Sequence, residues 1–183
     1  MNKILAILAL AFTSSAFAAS VGVEYQNING VNGGSDQKAY ELNVKENFNK
    51  NFAGDVKFTN TVTDGTNALT TRLEAGVTAQ NTYGAFTPYT RLGLGQKFSN
   101  TTDFTYYSVE PGVKAAIGST GLTARVGWRF RNAFNTANND TTRTWRAGLD
   151  YALTPKDTVG LGYDSVRGDS QQNIVKVNYS RSF

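Results

Sequence analysis

The sequence predicts an all-β protein, folded as a closed antiparallel up-and-down barrel of about ten strands. Apolar and polar residues alternate strictly around position 126, where Leu122, Ala124, Val126, Trp128 and Phe130 share one face. A period of two is that of an extended strand whose two faces differ. The 183 residues include 18 Gly but only 3 Pro, and 12% of them are aromatic. This balance favours strands joined by tight turns, and one domain is expected at this length.

The N-terminal region has the pattern of a secretory signal. Lys3 precedes an apolar run over 4–12, and Ala16 and Ala18 form an A-x-A cleavage site. The run is shorter than the roughly 20 apolar residues that a membrane-spanning helix needs. We therefore expect residues 1–18 to be a cleaved signal peptide and residues 19–183 to form the barrel.

The first half of the mature chain contains five alternating segments, separated by polar or glycine-containing breaks. The predicted strands are 20–28, 38–48, 52–59, 69–80 and 86–98. Their apolar faces carry Val21, Val23 and Tyr25; then Tyr40, Leu42 and Val44; Val56 and Phe58; Leu73, Ala75 and Val77; and Leu92 and Leu94. The opposite face of each segment is polar or charged, so one face of each strand must meet an apolar environment and the other a polar one.

The second half continues the pattern through predicted strands 107–117, 122–130, 144–153, 159–164 and 175–183. Their apolar faces carry Tyr107, Val109 and Val113; Val126 and Trp128; Trp145, Ala147 and Leu149; Val159 and Leu161; and Val175, Val177 and Tyr179. Pro111 interrupts the sixth strand. Because proline cannot donate a ladder hydrogen bond, we expect a bulge or a local break there.

The predicted connections alternate in length. Those after the even-numbered strands are short turns, whereas those after the odd-numbered strands are longer and rich in Asn, Asp, Gly and Thr. Barrels of the outer membrane have short periplasmic turns and longer external loops. On this basis both chain termini are expected on the periplasmic side.

The last strand ends in Phe183, and with the signal and the alternating strands it resembles a Gram-negative outer-membrane β-barrel protein. Segments 109–113 (VEPGV) and 128–132 (WRFRN) resemble strands of the small porins specific for oligogalacturonate and sialic acid. This resemblance implies a location in the cell outer membrane and a pore lined by arginine and lysine that passes acidic oligosaccharides. Those porins usually have twelve strands in a longer chain, so the predicted strand count departs from their pattern.

A soluble barrel would show the same alternation with its apolar face turned inward. The export signal and the terminal aromatic residue favour the membrane instead. Aromatic residues near the ends of the apolar faces also favour it, because they are placed to form interfacial girdles. They are Phe48, Phe52, Phe86, Tyr107 and Phe130.

Composition excludes most enzyme chemistry. The chain has no Cys and no His, which removes disulfides, Cys/His zinc sites and Ser-His-Asp triads. Glu110 and Asp150 are the remaining candidates for a carboxylate hydrolase, but paired structural carboxylates are the simpler interpretation. The net charge of +4 is spread along the chain, which does not suit a nucleic-acid partner. We expect no enzyme activity and no cofactor.

If the apolar face meets outer-membrane lipid, six basic side chains point into the lumen and are expected to bias permeation: Arg72, Arg91, Lys114, Arg125, Arg129 and Arg146. Glu74, Glu110 and Asp150 are their expected acidic partners. Two functions remain open. The first is a small monomeric channel for small anionic solutes such as acidic oligosaccharides. The second is a structural or surface-adhesion barrel sealed by salt bridges across its lumen.

Overall fold

The computed structural model describes residues 19–66, 68–100, 102–138 and 140–183, so the predicted signal peptide lies outside the described residues. The described chain contains ten β-strands and a single 3-10 turn at Thr136–Asn138. The strands are β1 (Ala19–Gly30), β2 (Gln37–Asn47), β3 (Phe52–Thr63), β4 (Leu69–Gln80), β5 (Phe86–Ser99), β6 (Phe104–Ile117), β7 (Leu122–Ala133), β8 (Thr142–Ala152), β9 (Asp157–Gly168) and β10 (Gln172–Ser182).

Every strand pairs antiparallel with the next one along the chain, and β1 pairs with β10, so the sheet closes on itself. The prediction of a closed up-and-down barrel of ten strands is confirmed. Phe183 donates its backbone N–H to the carbonyl oxygen of Ala19 at 2.9 Å. Both ends of the described chain therefore lie at one end of the barrel, which we call the terminal end; the opposite end is the distal end.

The alternation sorts the side chains as predicted, with apolar residues outside and charged residues inside. Leu92, Leu94 and Leu161 are 57–62% exposed on the outer surface, whereas Arg91 and Glu110 are each 6% exposed in the interior. A soluble barrel would have the reverse arrangement, because its apolar side chains would form the core. No helix among the described residues is long and apolar enough to cross a membrane.

Aromatic side chains mark both ends of the outer surface. Phe48, Phe52 and Phe86 are 47–59% exposed at the terminal end. At the distal end the rings of Tyr107 and Phe130 lie 6.1 Å apart, between centroids. Strands of 11–14 residues reach or exceed the roughly 9–11 that a tilted strand needs to cross a bilayer. The outer surface thus has the height and the aromatic borders of a lipid-facing band.

The predicted alternation of loop lengths is wrong after β5 and β9, and the connection after β3 is no longer than the one after β4. Connections at the distal end contain six, five, four, eight and three residues in chain order, against four, five, four and four at the terminal end. The connections after β5 and β9 are as short as the turns, because β5 and β9 run on to Ser99 and Gly168 and the strands that follow begin early, at Phe104 and Gln172. Residues that the sequence pattern placed in loops are paired with the neighbouring strands there.

The prediction of a bulge or a local break at Pro111 is confirmed as a local break without a bulge. On the β5 side Pro111 pairs with Thr90 within an uninterrupted register. On the β7 side the ladder omits Glu110 and Pro111 and resumes at Gly112 opposite Gly127 in the same register, with no residue inserted. The missing N–H therefore produces a local break in one ladder, which was the other predicted outcome, without shifting the strand.

Candidate functional site: the charged lumen

The barrel interior contains two cavities, one towards each end. The larger, of about 420 Å³, opens towards the terminal end and is lined by seven basic and six acidic side chains. The smaller, of about 100 Å³, lies towards the distal end and is lined by six basic and three acidic side chains. All nine side chains predicted from the sequence to line the lumen border one cavity or the other. Basic groups exceed acidic groups in both, and more strongly in the distal cavity.

Five residues border both cavities and so form the constriction between them. They are Glu41, Lys57, Arg146, Asp164 and Lys176. All five are charged, and three of them are basic. These side chains lie between the two cavities, so a solute that crosses the lumen from one cavity to the other passes them.

One group of ion pairs runs along the inner surface of the barrel wall from β3 to β7. Arg91 donates to both carboxylate oxygens of Asp55, with Nη2 2.6 Å from Oδ2 and Nε 2.9 Å from Oδ1. Its other terminal nitrogen donates to Glu74, and Glu74 also accepts from Arg129. Charged groups with low exposure that satisfy one another in this way hold their positions firmly.

A second group connects β6, β8, β9, β10 and β1. Arg146 donates to Glu110 with an Nη1–Oε2 distance of 2.6 Å and to Asp164 with an Nε–Oδ2 distance of 3.2 Å. Lys176 lies 2.6 Å from the same Asp164 carboxylate and 3.5 Å from Glu24. The two basic residues of this group belong to the constriction, so its geometry depends on these bonds.

Glycines on the lumen face give the arginines room to reach these partners. In the register, Asp55 on β3 lies opposite Gly76 on β4, and Arg91 reaches Asp55 from β5 by lying across Gly76. A Cβ atom at position 76 would stand 2.7 Å from Arg91 Nε. A Cβ at Gly148 would likewise stand 2.5 Å from Arg125 Nε. The lumen glycines therefore have the space-making role expected for isolated glycines within strands.

Basic residues without acidic partners lie in the distal half of the lumen. Arg72 on β4 and Lys97 on β5 are direct cross-strand partners, and neither forms an ion pair with any described residue. Lys97 instead lies over the Phe104 ring at 5.0 Å. Nearby, Arg131 pairs with Asp140 at 2.8 Å. Two like charges side by side repel each other, so neither charge is neutralised by its cross-strand neighbour.

The terminal half has a similar but weaker basic region. Lys114 on β6 is the cross-strand partner of Arg125 on β7. Arg125 forms a 3.4 Å ion pair with Asp150, whereas Lys114 lies over the Tyr89 ring at 5.4 Å and pairs with no described carboxylate. The ion-paired residues near the middle of the lumen thus have basic residues without ion pairs towards both ends of the barrel.

The structure places the six basic and three acidic residues on the lumen face, and it shows which of them pair, which the sequence did not. Arg91, Arg125, Arg129 and Arg146 form ion pairs, and Arg72 and Lys114 do not. Five further lumen bases were missed: Lys45, Lys57, Lys97, Arg131 and Lys176. Each of them occupies an inward-facing position in the alternation of its strand. Counting the basic residues at all inward-facing positions, and not only on the middle strands, would have identified them.

No group of three or more Asp and Glu side chains in the described part of the chain is arranged to hold a metal ion. Glu110 and Asp150, the two candidate hydrolase carboxylates, bond to different arginines, Arg146 and Arg125. The chemistry of this site is therefore that of fixed charges facing a water-accessible space.

Comparison with known proteins gives likeness in fold. No protein-family model matches the sequence, and no curated protein matches it. The structure is similar to that of the KdgM porin in complex with disordered oligogalacturonate, with a TM-score of 0.51, 13% identity, and coverage of 90% of this chain and 99% of that chain. It is also similar to an outer membrane channel from Pseudomonas putida F1, with a TM-score of 0.55, 10% identity, and coverage of 93% and 97%. At these identities the predicted resemblance to outer-membrane barrels is confirmed for the fold.

Proposed function

We propose that this protein is a small, monomeric outer-membrane channel with a preference for small anionic solutes. The observation that carries the proposal is the charge of the lumen: both cavities have more basic than acidic groups, and Arg72, Lys97 and Lys114 have no acidic partner among the described residues. Rings or clusters of basic side chains favour anions in pores.

The outer surface supports placement in a membrane. Exposed leucines and valines between two aromatic borders suit contact with hydrocarbon, and a closed barrel leaves no unpaired backbone edge. We assign the terminal end to the periplasm, because the longest connection, of eight residues after β7, lies at the distal end. The strongly basic distal cavity then faces the outside, where it meets incoming solutes first.

The constriction limits what passes. Its three basic and two acidic side chains leave it positive overall, so a small anion replaces water beside these groups at a lower cost than a cation does. Acidic oligosaccharides are the larger members of the proposed solute class, and the oligogalacturonate of the KdgM porin complex is one of them. Passage of such a chain requires the side chains of the constriction to move aside.

A bilayer experiment tests the proposal. The mature chain is reconstituted in planar bilayers under a KCl gradient, and the reversal potential reports whether chloride or potassium crosses faster. We expect an anion preference that falls when Arg72 and Lys97 are both changed to Gln. The matched control is Lys38→Gln, which removes a positive charge from the outer surface, where Lys38 pairs with Asp64 at 3.4 Å. A cation preference in the unchanged protein would overturn the proposal.

The alternative is a barrel that does not conduct. The ion pairs of Arg91, Arg146 and Lys176 favour it, because they fill the middle of the lumen with side chains that hold one another. The same bilayer recording separates the two functions. Folded protein that inserts but gives no current under either polarity has a sealed lumen, and the structural or adhesion role replaces the channel.

A further inference from the structure

The outward face of the barrel carries basic residues in only four strand positions of the described chain: Lys38, Arg143, Arg167 and Arg181. Two of them have acidic partners. Lys38 lies 3.4 Å from Asp64, and Arg181 lies 3.1 Å from Asp157. The other two, Arg143 and Arg167, form no ion pair with any described residue. Of these four outward basic residues, only Arg143 and Arg167 lack a described carboxylate that neutralises their charge.

Arg143 on β8 and Arg167 on β9 are direct cross-strand partners at the distal end. Side chains in such positions start about 5 Å apart, and like charges there destabilise the sheet. Arg143 is exposed and has no hydrogen-bond partner among the described residues. Arg167 donates only to neutral acceptors among the described residues: the carbonyl oxygens of Val166 at 2.6 Å and Gln172 at 3.3 Å, and the side chain of Asn173 at 3.3 Å. Two positive charges are thus held together with nothing to neutralise them.

Aromatic side chains lie just inside this arginine pair along the barrel wall. The two tryptophans of the chain, Trp128 and Trp145, face each other across β7 and β8. Phe130 is the partner of Arg143 on β7, and its ring stacks on that of Trp128 with a centroid distance of 6.3 Å. Tryptophan is enriched at the boundary between hydrocarbon and headgroups. The arginines, one step closer to the distal rim, therefore lie at the height of the lipid headgroups.

We propose that Arg143 and Arg167 bind a phosphate group on the headgroup of a lipid in the distal leaflet. Two guanidinium groups side by side match a phosphate in charge and in the geometry of paired N–H donors. Trp128 and Trp145 supply an apolar surface for the rest of the same lipid, which a free phosphate ion would not use. This inference rests on the proposed function only in requiring that the barrel is embedded in a membrane.

The test uses the full mature chain in detergent and counts bound lipid by native mass spectrometry. The probes are a diglucosamine lipid carrying phosphate at both ends of its headgroup and the same lipid without phosphates. We expect the phosphorylated lipid to bind well and the dephosphorylated lipid poorly. The Arg143→Gln/Arg167→Gln variant should bind the phosphorylated lipid roughly 30-fold more weakly, as expected for the loss of two arginines facing an anionic lipid.

The matched control is Lys38→Gln/Arg181→Gln, which removes two outward charges that already have acidic partners, and its binding should equal that of the unchanged protein. Equal binding by the Arg143/Arg167 variant, or equal binding of the two lipids, would overturn the proposal. So would full displacement of the lipid by inorganic phosphate at the concentration of the lipid, because it would assign the site to a free ion. A heat-resistant β-sheet circular dichroism signal verifies folding of each variant.

This outcome is independent of the channel. Arg143 and Arg167 line neither lumen cavity, so the variant should keep the conductance and ion preference of the unchanged protein. Lipid binding that fails while conductance persists refutes the lipid site alone. Conductance that is absent while lipid binding persists refutes the channel alone.

Discussion

Arg91 lies across Gly76, using the space of a missing side chain on β4 to join β5 to Asp55 on β3. Because the guanidinium is held by Asp55 and Glu74 together, it cannot simply swing away if the space is filled. The glycine and the ion pair therefore depend on each other, although they lie on different strands.

Filling that space should weaken the barrel. For Gly76→Ala we expect a loss of about 1–3 kcal/mol in the free energy of unfolding, because displaced Arg91 leaves carboxylates without their donors. Urea unfolding in phospholipid vesicles, followed by tryptophan fluorescence, measures it. Gly162→Ala is the matched control, since its added Cβ would meet its closest neighbour at an ordinary 3.5 Å. Equal stability of the two variants would show that Arg91 relocates without cost.

A charged substitution on the outer surface should lower the free energy of unfolding more at the middle of the bilayer than near its borders. Leu92 lies near the middle of β5 and is 57% exposed, whereas Phe98 lies near its distal end and is 40% exposed. Against hydrocarbon, Leu92→Arg should cost about 2–4 kcal/mol and Phe98→Arg about 0–1 kcal/mol. The same unfolding measurement in vesicles compares them. Similar values for both would mean that this surface does not meet a bilayer.

Lys176 should contribute more to stability than a surface base. It is 4% exposed and lies between Asp164 and Glu24. Removing one member of a buried ion pair costs about 3 kcal/mol, so we expect that loss for Lys176→Met. Arg181→Met breaks an exposed pair with Asp157 and should change the unfolding midpoint little. An unchanged midpoint for Lys176→Met would mean that water already solvates these carboxylates.

The constriction should set the conductance. Lys57 and Glu41 form its longest ion pair, with 3.7 Å between Nζ and Oε1. Shortening both to Ala widens the constriction, and we expect single-channel conductance to rise roughly twofold. Lys45→Ala is the control, because Lys45 lines the terminal cavity but not the constriction. If this control raises conductance as much as the double variant does, the resistance lies elsewhere.

Much of the fold was predictable from the sequence because strand alternation is a local property. The alternation along 122–130 fixes the face of each side chain, and ten such segments predict the number of strands. The predictions that were wrong concern strand ends. Ser99 and Gly168 belong to strands despite their loop-like composition, since tertiary pairing supplies hydrogen bonds that composition does not indicate.

The lumen was less predictable for a geometric reason. Alternation gives the face of a side chain but not its height in a barrel whose strands tilt. The pair of Arg146 and Glu110 joins β8 to β6 across the intervening β7, where Gly127 is the register partner of Arg146. Such contacts depend on stagger and on missing side chains in the intervening strand. For the same reason, the opposition of Arg143 and Arg167 appears only once β8 and β9 are paired.

The pairing of β1 with β10 closes the barrel and brings together the two ends of the described chain, with Ser20 opposite Ser182. Until the last strand arrives, a partly assembled sheet keeps two open edges that invite pairing with other chains. Closing so long a loop is slow compared with forming any single hairpin. A ribosome that stops before Gln172 therefore releases a polypeptide with exposed edges and no Lys176 for Glu24 and Asp164, so complete synthesis must precede productive assembly.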